Sequence, residues 1–299
     1  MTQFLQLDFA PLLCAMLAGS TCGLLGSFLV LRREALLGDA ITHAVLPGIV
    51  LGFAVTGARA GLPMLLGAGA AALLASWLIT YLRRAARLEG GAATGIVFTS
   101  FFAAGLVMLE ATGARSVDLD VDCVLFGQME TLLWPEATGA AALLDRAALS
   151  SLPPAVFLLA GVAVAVALVV AVLWRPLKLL CFDAAYAQSL GLPVRALDIA
   201  LNLMLAAAAV AAFEAVGSIL VVALLVAPAA AMRLITNRYT PQLLGGAALG
   251  AAVAALGYAL AGPLPALLGS AHAVNAAGMI GVLSGLMVAG AAMAGRWRA

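Results

Sequence analysis

Charged side chains are what this sequence of 299 residues lacks most. Only 10% of its residues are Asp, Glu, Lys or Arg, and lysine occurs once, at Lys178. Soluble globular domains are usually about a quarter charged, so the composition excludes an ordinary soluble protein. The formal net charge of +1 also leaves no basic surface with which to bind nucleic acid.

Clusters of metal-binding and nucleotide-binding residues are missing too. The four cysteines form no CxxC pair, and neither of the two histidines, His43 and His272, belongs to an HExxH motif. These absences argue against a thiolate cage and against an intramembrane metallohydrolase. The sequence has no GxxxxGK[ST] phosphate-binding loop either, so we expect no ATP hydrolysis by this chain and no enzymatic activity of its own.

Long apolar runs fill most of the sequence, of which 65% is hydrophobic. Runs of about 20 apolar residues are long enough to cross a bilayer as helices. The composition therefore predicts an all-α polytopic membrane protein with about nine transmembrane helices, or eight if 197–234 is counted differently. The predicted spans are 10–31, 36–57, 61–82, 92–111, 153–174, 197–214, 216–234, 241–262 and 275–294.

Arginines cluster after every second span, which predicts an external N-terminus and a cytoplasmic C-terminus by the positive-inside rule. The start of the chain has no basic region typical of a signal peptide, so the first run is expected to stay as a span. In this topology, 112–152 form an external interfacial segment and 182–192 include a short cytoplasmic helix. No repeat or linker is evident, so 1–299 is expected to be a single domain.

Asp39 and His43 stand one helical turn apart in the stretch 32–52, RREALLGDAITHAVLPGIVLG. Residues at this spacing share a helix face, where a carboxylate oxygen and an imidazole nitrogen can bind one divalent cation. Ionisable groups at membrane depth are costly and usually mark a pathway or a site. The alternative is a structural one, with Asp39 capping the helix and His43 bonded to a backbone carbonyl.

Four stretches in order resemble the permease subunits of ATP-binding cassette importers for manganese, zinc and iron. They are LRREALLGDAITHAVLPGIVLGF (31–53), ATGIVFTSFFAAGLVML (93–109) with VDCVLFGQ (121–128), FDAAYAQSLGLPVRALD (182–198), and FEAVGSILVVALLVAPAAAMRL (213–234). The resemblance implies a fold like that of the cobalamin and siderophore importers, and Asp39 and His43 as metal contacts.

The resemblance also implies a location in the bacterial inner membrane and several partners. These are two cytoplasmic ATPase subunits, an extracytoplasmic metal-binding protein and a second permease copy, usually identical. The stretch 182–198 would supply the coupling helix that fits the ATPase, with Asp183, Tyr186, Leu190 and Gly191 at its surface. A proton- or gradient-coupled secondary metal carrier is the alternative function.

Two further residues are candidate metal contacts. Glu214 precedes Gly217 between two spans and is interpreted as a third ligand or a gate residue, with a helix-start or pore-lining role as the alternative. His272 is a weaker candidate, with a cap or surface role as its alternative. The transported Mn²⁺, Zn²⁺ or Fe²⁺ is expected to be cargo, manganese first, with no permanently bound cofactor.

Overall fold

The structure is a computed structural model of the chain. It describes residues 2–56, 61–111, 127, 129–137, 139, 142, 145–267 and 274–296, and at 56, 61, 62, 84, 130, 147, 214, 295 and 296 it describes the backbone alone. Within these ranges all regular secondary structure is helical, as the composition predicts.

The helices follow one another with short connections where both ends are described. They are α1 (Thr2–Leu7), α2 (Phe9–Leu31), α3 (Ala35–Ala44), α4 (Leu46–Thr56), α5 (Gly61–Ala85), α6 (Gly90–Ala111), a 3₁₀ turn (Met129–Thr131), α7 (Arg146–Ser150), α8 (Pro154–Val172), α9 (Trp174–Phe182), α10 (Ala184–Ser189), α11 (Val194–Val216), α12 (Ser218–Ile235), α13 (Tyr239–Ala261), α14 (Pro263–Leu267) and α15 (Ala276–Arg296).

Nine segments of the described chain are long and apolar enough to cross a membrane. They are α2, α3 together with α4, α5, α6, α8, α11, α12, α13 and α15. The prediction of nine spans is therefore confirmed, and the region 197–234 contains two of them. The bounds agree closely, as in the first span, predicted at 10–31 and found at Phe9–Leu31.

Glycines let α2 pack directly against α13. A Cβ atom on Gly19 would run into the backbone of Gly250, and one on Gly23 would run into the backbone of Gly246. Each pair of glycines is four residues apart on its helix, so both contacts fall on one face. Helices in lipid associate through such close approaches because burial of apolar side chains gives little driving force there. This contact fixes α2 as a central element of the fold.

The second span is divided into α3 and α4, whereas the apolar run at 36–57 suggests one continuous helix. Val45 separates the two helices. Pro47 has no N–H with which to bond the carbonyl of His43, so the regular bonding of the helix is interrupted there. The buried face of α3 includes Gly38, where a Cβ atom would collide with the side chain of Leu29 on α2.

The described part of the segment 112–152 is anchored to the first two helices. Trp134 is fully buried, and its indole N–H donates to the carbonyl of Ala148 at 2.9 Å. Its backbone N–H donates to the carbonyl of Gln6 at 2.8 Å, and its ring lies 5.6 Å from that of Phe9. These contacts hold this part of the segment against the start of the chain.

Candidate metal site

Asp39 and His43 lie on the same face of α3, as their spacing predicts. Asp39 Oδ1 is 3.4 Å from His43 Nε2. A metal held about 2.1 Å from one oxygen and one nitrogen, with an angle of roughly 90° to 109° at the metal, needs those ligand atoms about 3.0–3.4 Å apart. The pair, named here the Asp39–His43 pair, therefore has the separation that two ligands of one cation need.

Two phenylalanines of α6 hold the His43 ring. The ring centroids of Phe98 and Phe102 lie 5.1 Å and 5.3 Å from that of His43, both in edge-to-face arrangements. The two phenyl rings are near-parallel, at 15° to each other. Edge-to-face contacts of this kind favour one ring orientation over others. The aromatic pair thus keeps the His43 Nε2 atom directed toward Asp39.

The Asp39–His43 pair lies near the surface of a single chain. The Asp39 side chain is 37% exposed and that of His43 is 15% exposed. Leu36, one turn earlier on α3, is 63% exposed. A carboxylate at membrane depth is unfavourable against lipid, so this face of α3 must meet water or protein in the membrane.

The other two predicted metal ligands cannot be placed beside this pair. Glu214 lies in the last turn of α11, but its side chain is outside the described residues, and His272 lies outside them altogether. In the part of the chain that the structure describes, no group of three or more His, Cys, Asp or Glu side chains is arranged to hold a metal. The assignment of Glu214 and His272 as ligands stays a prediction.

A cavity of about 510 Å³ opens where α2, α3, α5, α6 and α11 meet, and it is named here the Arg32 cavity. Its lining includes Arg32, Glu34, Thr94, Asp198 and Asn202. Thr94 precedes Phe98 by one helical turn, which places the cavity next to the aromatic pair around His43. Asn202 is 7% exposed and donates from Nδ2 to Ser76 Oγ at 2.6 Å. The cavity thus places polar groups one helical turn along α6 from Phe98.

The short helix predicted within 182–192 is present as α10. Asp183 caps it by accepting a hydrogen bond from the backbone N–H of Tyr186 at 2.8 Å. Gly191 ends this turn with a φ of +78°, a conformation that favours glycine. Tyr186 and Leu190 are both more than half exposed. Residues 182–192, named here the coupling segment, therefore present an accessible, partly apolar surface.

The model of the ABC 3 transport family matches residues 3–138 and 149–274. The chain belongs to the ABC 3 transport family. This finding confirms the expected importer permease, a multi-pass protein of the inner membrane, and disfavours the secondary carrier.

Relatives of this chain include transport proteins for manganese and for zinc. It is 39% identical over 242 residues to the manganese transport system membrane protein MntD of Bacillus subtilis, covering 81% of this chain and 79% of MntD. It is 32% identical over 221 residues to the zinc transport system membrane protein TroC of Treponema pallidum, covering 73% of this chain and 68% of TroC.

A solved structure supports the same fold. PsaBC from Streptococcus pneumoniae, in complex with a Fab, matches with a TM-score of 0.74 and 27% identity. The match covers 94% of this chain and 89% of the other. The helical architecture described above is therefore also found in a solved protein.

Sequence reasoning missed four residues of this ABC 3 family chain. Phe98 and Phe102 contact His43, and their spacing of four residues within the stretch 93–109 is the signal that indicates a shared face. Arg32 and Asp198 form an ion pair across 166 positions of sequence. Only the fold brings these two together, since nothing in the local pattern relates them.

Proposed function

We propose that this chain is the membrane subunit of an importer that carries a divalent transition metal, with the Asp39–His43 pair binding the cargo. The separation of 3.4 Å between the carboxylate oxygen and the imidazole nitrogen is the observation that carries this proposal. One oxygen and one nitrogen ligand suit manganese, iron(II) or zinc better than copper(I). The metal is cargo that must be released, so a small ligand set suits the task better than a closed cage.

Manganese is the proposed physiological cargo, with zinc next. Among the relatives, MntD is a manganese transport protein and is 39% identical, whereas TroC is a zinc transport protein and is 32% identical. The general affinity order of such ligands favours zinc over manganese. Selection of manganese therefore requires a donor protein or a gate that acts before the Asp39–His43 pair.

Energy for transport comes from separate ATPase subunits in this proposal, since the sequence contains no phosphate-binding loop. The coupling segment is the proposed docking site, because Tyr186 and Leu190 expose apolar surface on a short, capped helix. An extracytoplasmic metal-binding protein would deliver the cargo. The ATPase subunits and the metal-binding protein would together make transport through this chain directional.

A second permease copy is proposed to cover the face of α3 that carries the cargo site. Asp39 is 37% exposed in the single chain, and Leu36 on the same face is 63% exposed. A second copy seated there would exclude lipid from the carboxylate and leave a polar path between the two chains. We propose a homodimer because two identical chains would line the path with the same residues on both sides.

Uptake of radioactive manganese tests the cargo site in cells whose only manganese permease is this chain. Asp39→Asn and His43→Gln are each expected to abolish uptake while the protein stays folded and inserted. Val164→Ala, at an exposed residue of α8 outside this face, is the control and is expected to transport normally. Normal uptake by either site variant, at equal amounts in the membrane, would assign a structural role to both residues.

Competition between metals tests the choice of cargo in the same cells. Unlabelled manganese is expected to reduce uptake at lower concentrations than zinc or iron(II). Inactivation of the partner ATPase is expected to stop manganese uptake. Collapse of the proton gradient is expected to leave the uptake rate unchanged. Stronger competition by zinc than by manganese would overturn the proposed cargo.

A further inference from the structure

Arg32 joins two carboxylates from different parts of the chain. Its Nε donates to Glu34 Oε2 at 2.9 Å, and its Nη1 donates to Asp198 Oδ1 at 2.6 Å. The side chain of Arg32 is 17% exposed. The planar guanidinium presents several donors in a fixed fork, so it can hold both carboxylates in a defined arrangement.

The partners of Arg32 stand at the starts of two functionally important helices. Glu34 occupies the N-cap position of α3, five residues before Asp39. Asp198 lies one turn into α11, which begins directly after the coupling segment. The ion pairs therefore connect the helix that carries the proposed cargo site to the helix that continues from the proposed ATPase-docking site.

The charge of Arg32 is retained in this setting. Burial lowers the pKa of Arg32, but the nearby Glu34 and Asp198 carboxylates outweigh burial and leave the pKa raised. The Arg32 side chain is 17% exposed, whereas the side chains of Glu34 and Asp198 are 32% and 37% exposed. Removal of one partner therefore disturbs this partly buried pair more than it would a fully exposed pair and less than it would a fully buried one. The bridge is thus a firm link between the starts of α3 and α11.

We propose that Arg32 is a positioning residue that transmits movement of the coupling segment, through Asp198, to α3 and the Asp39–His43 pair. The link lines the Arg32 cavity together with Ala35 and Leu37 of α3, so a shift of α11 relative to α3 changes the shape of that cavity two residues before Asp39. This inference rests on the proposed function, because it requires that the coupling segment meets an ATPase.

The complex of permease and ATPase subunits, reconstituted in lipid vesicles and supplied with the manganese-loaded extracytoplasmic binding protein, provides the test. ATP hydrolysis and manganese uptake are measured together for the unmodified protein and for Asp198→Asn, Arg32→Lys and the double variant. Each single variant is expected to assemble and hydrolyse ATP, while the manganese carried per ATP falls at least fivefold. The double variant is expected to be no worse than the more severe single variant, because both remove the same link.

Arg33→Gln is the matched control, since Arg33 is exposed and makes no ion pair with the described residues. It is expected to keep the original manganese-to-ATP ratio. If the Asp198→Asn complex does not assemble, the manganese-to-ATP ratio of Arg32→Lys is used instead. Lysine retains the positive charge and loses only the planar set of guanidinium donors. An unchanged ratio in the assembled variants would overturn the inference.

Failure of the proposed function would look different from failure of this inference. In that case the unmodified complex itself would show no ATP-dependent manganese uptake, or Asp39→Asn would transport normally. An unmodified complex with ATP-driven uptake that needs Asp39, together with an unaffected Asp198→Asn variant, overturns the role of Arg32 alone.

Discussion

The two phenylalanines around His43 lead to a quantitative prediction about metal affinity. Each edge-to-face contact, at ring-centroid distances of 5.1 Å and 5.3 Å, holds the imidazole in the orientation that faces Asp39. Such a contact contributes about 0.5–1.5 kcal/mol beyond the burial of area. If that energy determines the fraction of molecules in which the His43 ring faces Asp39, its loss lowers that fraction and raises the apparent dissociation constant by the same factor.

Phe98→Ala is therefore expected to raise the half-saturating manganese concentration for uptake about two- to twelvefold, since 1.4 kcal/mol corresponds to a factor of ten. The double variant with Phe102→Ala is expected to raise it about 5- to 150-fold if the two contacts add. The maximal rate should change less than the half-saturating concentration, because both phenylalanines act on His43 and neither carries a ligand atom.

Phe101→Ala is the matched control on the same helix. Phe101 packs against the cluster that includes Ala75, Ile79 and Val97, whereas the ring contacts of His43 on α6 are with Phe98 and Phe102. Its loss is expected to affect stability and leave the half-saturating manganese concentration near the original value. The reasoning is refuted if Phe98→Ala keeps the original half-saturating concentration, or if Phe101→Ala raises it as much.

Two further predictions concern the anchored part of the segment 112–152 and the helix α9. Trp134→Phe should lower the free energy of unfolding in detergent by about 1 kcal/mol, because the hydrogen bond to the carbonyl of Ala148 is lost. Trp134→Ala should lower it by about 3–5 kcal/mol, because it also leaves a cavity. Equal losses for the two variants would contradict this prediction. Burial raises the pKa of Cys181 to about 12, so its thiolate fraction and its rate of maleimide labelling should rise about tenfold per pH unit below that value. Rapid labelling at pH 7 would contradict it.

The sequence predicts the spans well because the pattern that defines them is local. A run of about 20 apolar residues can be recognised without knowing what it packs against, and the span predicted at 241–262 is found at Tyr239–Ala261. The shared face of Asp39 and His43 is equally local, since helical spacing alone determines it. The short helix at 182–192 is also recognisable, because Asp183 caps it and Gly191 ends it.

Features that depend on distant parts of the chain could not be predicted in this way. Arg32 donates a hydrogen bond to Asp198, which is 166 positions away in the sequence. Trp134 bonds to Gln6 and Ala148 only because the fold places residues near Trp134 against the start of the chain. The division of the second span is an intermediate case. Pro47 indicates a weak point in the helix, but proline is tolerated inside many spans, and α12 continues through Pro228 without a break.

The division of the second span has a mechanical consequence for the proposed link. The half beyond the break, α4, is packed tightly on α5, where a Cβ atom on Gly48 would collide with the backbone of Gly67. The first half, α3, is only ten residues long and is bonded at its start through Glu34 to Arg32. Helix breaks of this kind are where one part of a helix moves relative to another. A displacement that reaches Arg32 would therefore act first on α3, the short half of the span that carries Asp39 and His43, and only then on α4, which is packed on α5.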